Sequence, residues 1–146
     1  MDSIFERYAT TLTNIIGNQA WDKVELLAQA MLTVWQGNRQ LFLCGNGGSA
    51  GNAIHLANDF LYGISRNSER PGMKVEALSA NPAVISCLAN DINYSEIFSE
   101  QLLAKADSGD LLLVLSGSGN SLNVVAALEV AKKIGMETWA IVGYDG

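Results

Sequence analysis

The sequence predicts an α/β fold: a three-layer, doubly wound parallel sheet with helices on both faces, preceded by N-terminal helices. From residue 40 onward, short apolar runs alternate with helical stretches, and this alternation is typical of a parallel sheet whose connections are helices. Before residue 37, apolar residues recur only at helical spacing. We therefore expect one domain over residues 1–146, with a helical segment over 1–37 and an α/β core over 40–146.

The individual elements of the core follow from apolar patterning and from residues that begin and end helices. Asn81 is a good N-cap and Pro82 suits the first helical position, so a helix is predicted to begin there. Gly135 is predicted to end a later helix. The predicted strands cover residues 40–44, 75–78, 111–115 and 138–142, and the other predicted helices of the core cover 50–62, about 94–106 and 122–134.

The N-terminal segment carries two apolar stripes, which we interpret as core or oligomer surface. They comprise Ile4, Phe5, Tyr8, Leu12, Ile15 and Ile16 in the first helix, and Trp21, Val24, Leu27, Met31, Leu32 and Trp35 in the second.

Composition excludes several classes of protein. The formal net charge is −6, and the nine basic residues are scattered, so no basic stripe is predicted to bind nucleic acid. The N-terminus has no signal-peptide pattern, and no apolar run is long enough to span a bilayer. Cys44 and Cys87 lie in or beside apolar runs, lack metal-ligand spacing and are predicted to be buried, reduced thiols. We expect a cytoplasmic protein.

Two loops that follow predicted strands share one chemistry. Residues 45–49 read GNGGS and residues 116–121 read SGSGNS, and each loop leads into a helix. Glycines allow close backbone approach to a ligand, while serine hydroxyls and helix N–H groups donate to an anion. An ordinary turn is the competing interpretation for either loop alone. Two such loops on one sheet favour a site for a small phosphate at the carboxyl ends of the strands.

A dinucleotide site is the main alternative for the first loop. Gly45, Gly47 and Ala50 fit the G-x-G-x-x-G/A pattern after a strand. That pattern also requires an acidic residue at the end of the second strand to bind the ribose. The second strand instead runs into Ser79-Ala80-Asn81, and the alternative leaves the second loop unexplained.

The chain resembles the sugar isomerase (SIS) domain family, in particular its phosphoheptose isomerase group. The resemblance rests on GNGGS, a following helix with A-x-H and then N-D, the second N-D pair in LANDIN, SGSGNS, and GYDG, in that order along the whole chain. It implies a flavodoxin-like SIS fold and a sugar-phosphate site. The implied substrate-binding residues are Asn46, Gly47, Gly48, Ser49, Asn90, Asp91, Ser116, Gly117, Ser118 and Ser121.

The resemblance also implies a catalytic acid-base residue on the helix after GNGGS. This position is Asp59, where the isomerases have glutamate, so the carboxylate reaches one methylene less far. In some relatives the histidine corresponding to His55 and this carboxylate bind zinc, and the i, i+4 spacing puts both on one helix face. Two ligands are only half of a tetrahedral site, and a lone histidine is more often structural. We expected both side chains to face the phosphate pocket.

The implied function is aldose–ketose isomerisation, converting sedoheptulose 7-phosphate into a mannoheptose 7-phosphate for heptose and lipopolysaccharide precursors, in a homotetramer. The family continues beyond the strand that ends near Val142 with a further strand and a helix that supplies a glutamine and a histidine. We therefore expect the chain to be part of a longer protein. The alternative is a non-catalytic SIS-domain protein that binds sugar phosphates or associates with a replication initiator.

Overall fold

The computed structural model describes residues 3–19 and 21–144 and contains one parallel sheet. The four strands are β1 (Gln40–Gly45), β2 (Lys74–Ala77), β3 (Leu111–Ser116) and β4 (Glu137–Val142). Their order in the sheet is β2-β1-β3-β4. All four predicted strands are present, and the predicted parallel α/β architecture is confirmed.

Six α-helices accompany the sheet within the described residues. They are α1 (Ile4–Gly17), α2 (Asp22–Gln36), α3 (Gly48–Leu61), α4 (Pro82–Asp91), α5 (Ser99–Lys105) and α6 (Leu122–Ile134). Short 3-10 helices cover Gly63–Asn67 and Tyr94–Glu96. None of the described helices is both long and apolar enough to cross a membrane.

The chain divides into two compact units, Met1–Ala30 and Met31–Gly146. In the first unit, α1 begins with a capping box in which the Ser3 hydroxyl accepts from the Glu6 N–H and the Glu6 carboxylate accepts from the Ser3 N–H. The apolar stripe of α1 is exposed, and Phe5 and Tyr8 are 81% and 72% accessible. The sheet belongs to the second unit.

Helices cover the sheet on both faces because the chain winds outward in two directions from its centre. The connection from β1 to β2 goes one way along the sheet and that from β3 to β4 goes the other, so right-handed crossovers place α3 and α6 on opposite faces. On the α6 face, Phe42 and Cys44 of β1 join one buried cluster with Leu112 and Val114 of β3. This cluster also contains Leu102, Val124, Ala127 and Ala131 from α5 and α6.

The signals that begin and end helices act as expected at α4 and α6. The Asn81 side chain accepts from the N–H groups of Ala83 and Val84, and Pro82 is the first helical residue. Gly135 ends α6 with φ at 89°, in the left-handed region that favours glycine.

The predicted helix over 94–106 is wrong in extent, because two elements replace it. The Asn93 side chain accepts from the Ser95 N–H, and the hydroxyls of Ser95 and Ser99 donate to the Glu96 carboxylate. Such local bonds compete with regular helix formation. The segment therefore forms the 3-10 turn Tyr94–Glu96 and, separately, α5.

Gly45 permits the close approach of β1, β3 and α3 at the carboxyl end of the sheet. A Cβ atom on Gly45 would lie 2.6 Å from the Leu115 carbonyl oxygen and 2.7 Å from the Ser49 Cβ. Both neighbours are parts of regular elements, and the first is backbone, so neither can move away at low cost.

We predict that Gly45→Ala lowers the free energy of unfolding by about 1–3 kcal/mol, the usual cost of overpacking. Gly51→Ala is the matched control, because a Cβ at that position in α3 meets open space. Replacing a helical glycine by alanine there should raise stability by about 0.5–1 kcal/mol. Urea denaturation measures both, and a fully stable Gly45→Ala protein would contradict the close approach.

Candidate functional site

The carboxyl ends of β1 and β3 lie side by side at the centre of the sheet. The two strands pair in register from Leu41 opposite Leu111 to Gly45 opposite Leu115. Because α3 and α6 leave these strands on opposite faces, a crevice opens between their loops, and ligands of doubly wound proteins bind in such crevices. Both Gly/Ser loops predicted from the sequence lie at this point.

The first loop leaves the beginning of α3 open to an anion. Gly47 has φ at 54°, a conformation that glycine adopts readily, and it is the N-cap of α3. It has no side chain that could bond to the first helical N–H groups. The loop is instead closed by the backbone, with the Ser49 N–H donating to the Asn46 carbonyl over 3.0 Å.

The second loop holds its serines in two different ways. The Ser116 hydroxyl oxygen accepts from the Gly119 N–H at 3.1 Å, and that of Ser118 accepts from the Asn120 N–H at 3.3 Å. A hydroxyl that accepts in this way still carries its own hydrogen for a ligand. Ser121 occupies the N-cap position of α6, but its side chain makes no capping hydrogen bond. The Ser121 hydroxyl therefore lies uncapped at the positive end of the helix dipole.

Two clefts with no lining residue in common open at these loops. The first, which we call the serine cleft, has a volume of about 240 Å³. It is lined by Ser49, Asn52, Leu115, Ser116, Gly117, Ile141, Val142 and Gly143. The second, the amide cleft, measures about 340 Å³ and is lined by Asn46, Asn93, Tyr94, Ser95, Ser121, Leu122 and Asn123.

The tertiary structure thus brings the predicted residues of the two loops together in two groups. Ser49 joins Ser116 and Gly117 in the serine cleft, although 67 residues separate the two serines in the sequence. Asn46 and Ser121 line the amide cleft. Of the remaining predicted loop residues, Gly47 lines a third, smaller cavity beside Asn46 and Tyr94, and Gly48 and Ser118 lie in the same loops.

A pair of asparagines, one of which the sequence analysis did not identify, joins the two loops. Asn46 Nδ2 donates to Asn123 Oδ1 at 2.8 Å, and Asn123 Nδ2 donates to Asn46 Oδ1 at 2.9 Å. The Tyr94 hydroxyl also donates to Asn46 Oδ1, at 3.2 Å. Asn123 is only 2% exposed. The available signal was an amide in the otherwise apolar stretch LNVVAAL.

Asn90 and Asp91 end α4 and line neither cleft among the described residues. The Asn90 amide donates to the Asp91 carboxylate at 2.7 Å, and the Cys87 thiol donates to its other oxygen at 3.4 Å. These bonds, chiefly that from Asn90, hold the pKa of Asp91 below its usual value. The bond to Asp91 and its negative charge raise the pKa of the Cys87 thiol. Asp91 is thus an ionised, exposed acceptor suited to hydroxyl groups.

His55 and Asp59 lie on the exposed side of α3, and the expectation that they face the serine cleft is not met among the described residues. Their side chains are 75% and 51% exposed, with His55 Nε2 3.5 Å from Asp59 Oδ2. Asp59 follows Ser49 by ten residues, which places it about 15 Å further along the helix axis. The reason is geometric, because a helix that starts at the site carries later residues away from it.

The same two side chains fit half of a zinc site. Zinc–nitrogen and zinc–oxygen bonds of about 2.0–2.2 Å in tetrahedral geometry place two ligand atoms about 3.4 Å apart, close to the 3.5 Å between His55 Nε2 and Asp59 Oδ2. Within the described residues, no group of three histidine, cysteine or acidic side chains could surround a metal ion. Any zinc held here needs ligands in addition to these two.

The fold and the two loops define a class: a doubly wound α/β protein with clefts at the switch point of a parallel sheet, where such proteins bind ligands. A family comparison makes this specific, because the model of the SIS domain matches residues 5–143. The chain belongs to the SIS domain family.

The relatives found are phosphoheptose isomerases. That of Chlorobaculum parvum is 37% identical over 139 residues, which cover 95% of this chain and 66% of the relative. That of Shewanella denitrificans is 41% identical over 127 residues, covering 86% and 63%. The chain thus spans just under two thirds of the length of these curated relatives.

Two solved structures share the fold. The phosphoheptose isomerase from Francisella tularensis superimposes with a TM-score of 0.86 at 27% identity. The superposition covers 99% of this chain and 78% of that protein's chain. The phosphoheptose isomerase GmhA from Neisseria gonorrhoeae gives a TM-score of 0.80 at 30% identity, with coverages of 99% and 77%. The four-stranded sheet described above is therefore the SIS fold.

The different bonding of the loop serines leads to a stability prediction. Ser116→Ala should lower the free energy of unfolding by about 1–2 kcal/mol, because the Gly119 N–H loses its acceptor. Ser121→Ala should lower it by less than the ~1 kcal/mol typical of a capping serine, since its hydroxyl caps nothing. Urea denaturation of both variants decides this, and equal losses would contradict the proposed difference.

Proposed function

We propose that this chain carries the sugar-phosphate site of a phosphoheptose isomerase, which interconverts sedoheptulose 7-phosphate and an aldose heptose 7-phosphate. The observation that carries the proposal is the meeting of the two Gly/Ser loops at the switch point of the sheet, where Ser49 and Ser116 line one cleft. The names of the relatives support the reaction and the substrate.

The phosphate is held by dipoles and hydroxyl groups. The chain has a net charge of −6, yet the serines of the second loop and the beginnings of α3 and α6 provide donors without a positive side chain. Helix N-termini attract anions through their dipoles and their unpaired N–H groups. The serine cleft, lined by Ser49 and Ser116, is the proposed place for the phosphate group. Ser118 and Ser121 of the second loop are proposed as further donors to it, although Ser121 itself lines the amide cleft.

The sugar moiety then extends from the phosphate toward other groups. The amide cleft offers the Asn46 amide, and the end of α4 offers the Asp91 carboxylate for hydroxyl groups. In a seven-carbon substrate, the carbonyl lies at the opposite end from the phosphate. A binding site that holds the remote phosphate can thus position the reacting carbons.

Asp59 is the proposed catalytic base. The carboxylate removes a proton from the carbon beside the carbonyl while the carbonyl oxygen gains one, which gives an ene-diol. The carboxylate then returns its proton to the former carbonyl carbon as the hydroxyl on the neighbouring carbon loses its proton and becomes the new carbonyl. Asp59 has two oxygen atoms in different surroundings: Oδ2 faces His55, and Oδ1 lies 3.5 Å from Asn58 Nδ2. One oxygen can therefore be oriented by a neighbour while the other receives the proton.

A zinc ion, if the intact enzyme uses one, would be held by His55 Nε2 and Asp59 Oδ2 together with ligands supplied from elsewhere. Bound there, zinc would polarise the substrate carbonyl as a Lewis acid. The role of the chain's own residues would be to fix the histidine and carboxylate on one face of α3.

An oligomer, a tetramer by family resemblance, is part of the proposal. The exposed apolar stripe of α1 supports it, because contiguous apolar surface on a monomer commonly marks an interface. A cytoplasmic location is also proposed, and the free, buried Cys44 fits a reducing compartment.

A non-catalytic sugar-phosphate-binding protein is the second candidate. It is favoured by one observation: residue 59 is an aspartate whose side chain is half exposed, at a position where the family resemblance implies the longer glutamate. Such a protein would keep the phosphate loops and would bind the sugar phosphate without exchanging its protons.

The binding part of the proposal predicts that Ser118→Ala combined with Ser121→Ala weakens the affinity for sedoheptulose 7-phosphate by about tenfold or more, because two hydrogen bonds to the phosphate are lost. Isothermal titration calorimetry measures this. Ser108→Ala is the matched control, since this exposed serine precedes β3 at the other end of the sheet. Unchanged affinity in the double variant would exclude the second loop as the phosphate site.

The catalytic part predicts that Asp59→Asn slows solvent proton exchange into sedoheptulose 7-phosphate by about a hundredfold or more, since amide cannot act as a base. Proton NMR in deuterated water follows the exchange. Asp59→Glu is the conservative control and should retain it. Exchange that persists in Asp59→Asn would assign the base elsewhere, while binding without exchange in the unaltered protein would favour the second candidate.

A further inference from the structure

We propose that Asn123, assisted by Tyr94, is a positioning residue that fixes the Asn46 amide as a hydrogen-bond donor to the sugar part of the substrate. The inference rests on the proposed function and deepens it. It assigns a role to two residues, Asn123 and Tyr94, outside the Gly/Ser motifs.

The geometry is a closed pair with a third member. The two asparagine side chains exchange hydrogen bonds of 2.8 and 2.9 Å, and the Tyr94 hydroxyl adds a bond of 3.2 Å to Asn46 Oδ1. The three residues come from three segments: the loop after β1, the beginning of α6, and the 3-10 turn that follows α4. All three line the amide cleft.

The hydrogen-bond capacity of Asn46 determines what it can offer. An amide oxygen accepts two hydrogen bonds, and those of Asn46 are taken by Asn123 and Tyr94. The amide nitrogen has two hydrogens, of which one is given to Asn123 Oδ1. Within the described part of the chain, the second hydrogen has no partner. Asn46 can therefore only donate to a ligand, and only once, to a hydroxyl or carbonyl oxygen of the sugar.

Burial makes this arrangement rigid. Asn123 is 2% exposed, and a buried amide that loses its partner is costly, so both asparagines stay paired. Without Asn123, the Asn46 side chain could rotate and exchange its oxygen and nitrogen positions. The network thus fixes where the donor nitrogen and the acceptor oxygen of the Asn46 side chain lie. This side chain is at the switch point, where the loops after β1 and β3 face each other.

Ser49 and Ser116, the two serines that line the serine cleft, do not belong to this network. Ser116 is anchored by the Gly119 N–H and by the Gly143 N–H, which donates to the Ser116 carbonyl at 3.2 Å. Loss of the amide pair should therefore reduce recognition of the sugar while leaving recognition of phosphate. A purely structural role would weaken both together.

The experiment compares two ligands, sedoheptulose 7-phosphate and inorganic phosphate, by calorimetry on the whole chain. Asn123→Leu keeps the side-chain shape and removes both hydrogen bonds, and we expect affinity for the sugar phosphate to fall about tenfold with phosphate affinity unchanged. Tyr94→Phe removes only the hydroxyl and should cause a smaller, about threefold, loss for the sugar phosphate alone. Tyr62→Phe, an exposed tyrosine at the end of α3, is the control and should change neither affinity.

Each possible result of this experiment either supports or overturns the positioning role of Asn123 and Tyr94. Selective loss for the sugar phosphate supports the positioning role, while unchanged binding, or equal loss for both ligands, overturns it. If Asn123→Leu does not fold, Tyr94→Phe decides alone, because Tyr94 is 55% exposed and keeps its ring. Failure of the unaltered chain to bind sedoheptulose 7-phosphate would instead overturn the proposed function itself. The failure of the proposed function can therefore be distinguished from the failure of the positioning role.

Discussion

The parallel pairing of β1 with β3 is the interaction on which the rest of this structure depends. Its register sets Gly45 opposite Leu115, and so aligns the ends of the two strands. The positions of the loops that follow, of the N-termini of α3 and α6, and of the crevice between them all depend on that alignment. A shift of one residue would turn the buried side chains to the other face and separate the loops.

Gly45 and the asparagine pair maintain this alignment from two sides. Gly45 lets the Leu115 carbonyl and α3 come within contact distance of the β1 backbone. Asn46, the next residue, is joined to Asn123 at the beginning of α6. Steric fit and paired amides therefore act at adjacent positions. Together they hold the proposed phosphate site in an acidic protein whose two clefts are lined, among the described residues, by no lysine or arginine.

The buried and exposed cysteines illustrate how environment sets chemistry in the same chain. Burial in the core raises the pKa of Cys44 to about 12, so its thiol stays protonated and inert. The prediction that Cys87 is also buried is wrong, because this residue lies on the exposed face of α4, where its thiol donates to Asp91. The two thiols therefore differ because one is buried in the core and the other is exposed beside a carboxylate.

Local patterns in the sequence determined much of this protein. The apolar runs predicted all four strands, Asn81 and Pro82 predicted the start of α4, and the two Gly/Ser loops indicated a phosphate site, because turns, caps and strand burial depend on neighbouring residues. The 94–106 segment was misjudged since side-chain bonds around Glu96 outweigh helical periodicity. Only the tertiary structure decided that Asn123 and Tyr94 hold Asn46, and that His55 and Asp59 lie away from the serine cleft. Those facts depend on contacts between distant segments and on the direction of α3, which no local pattern contains.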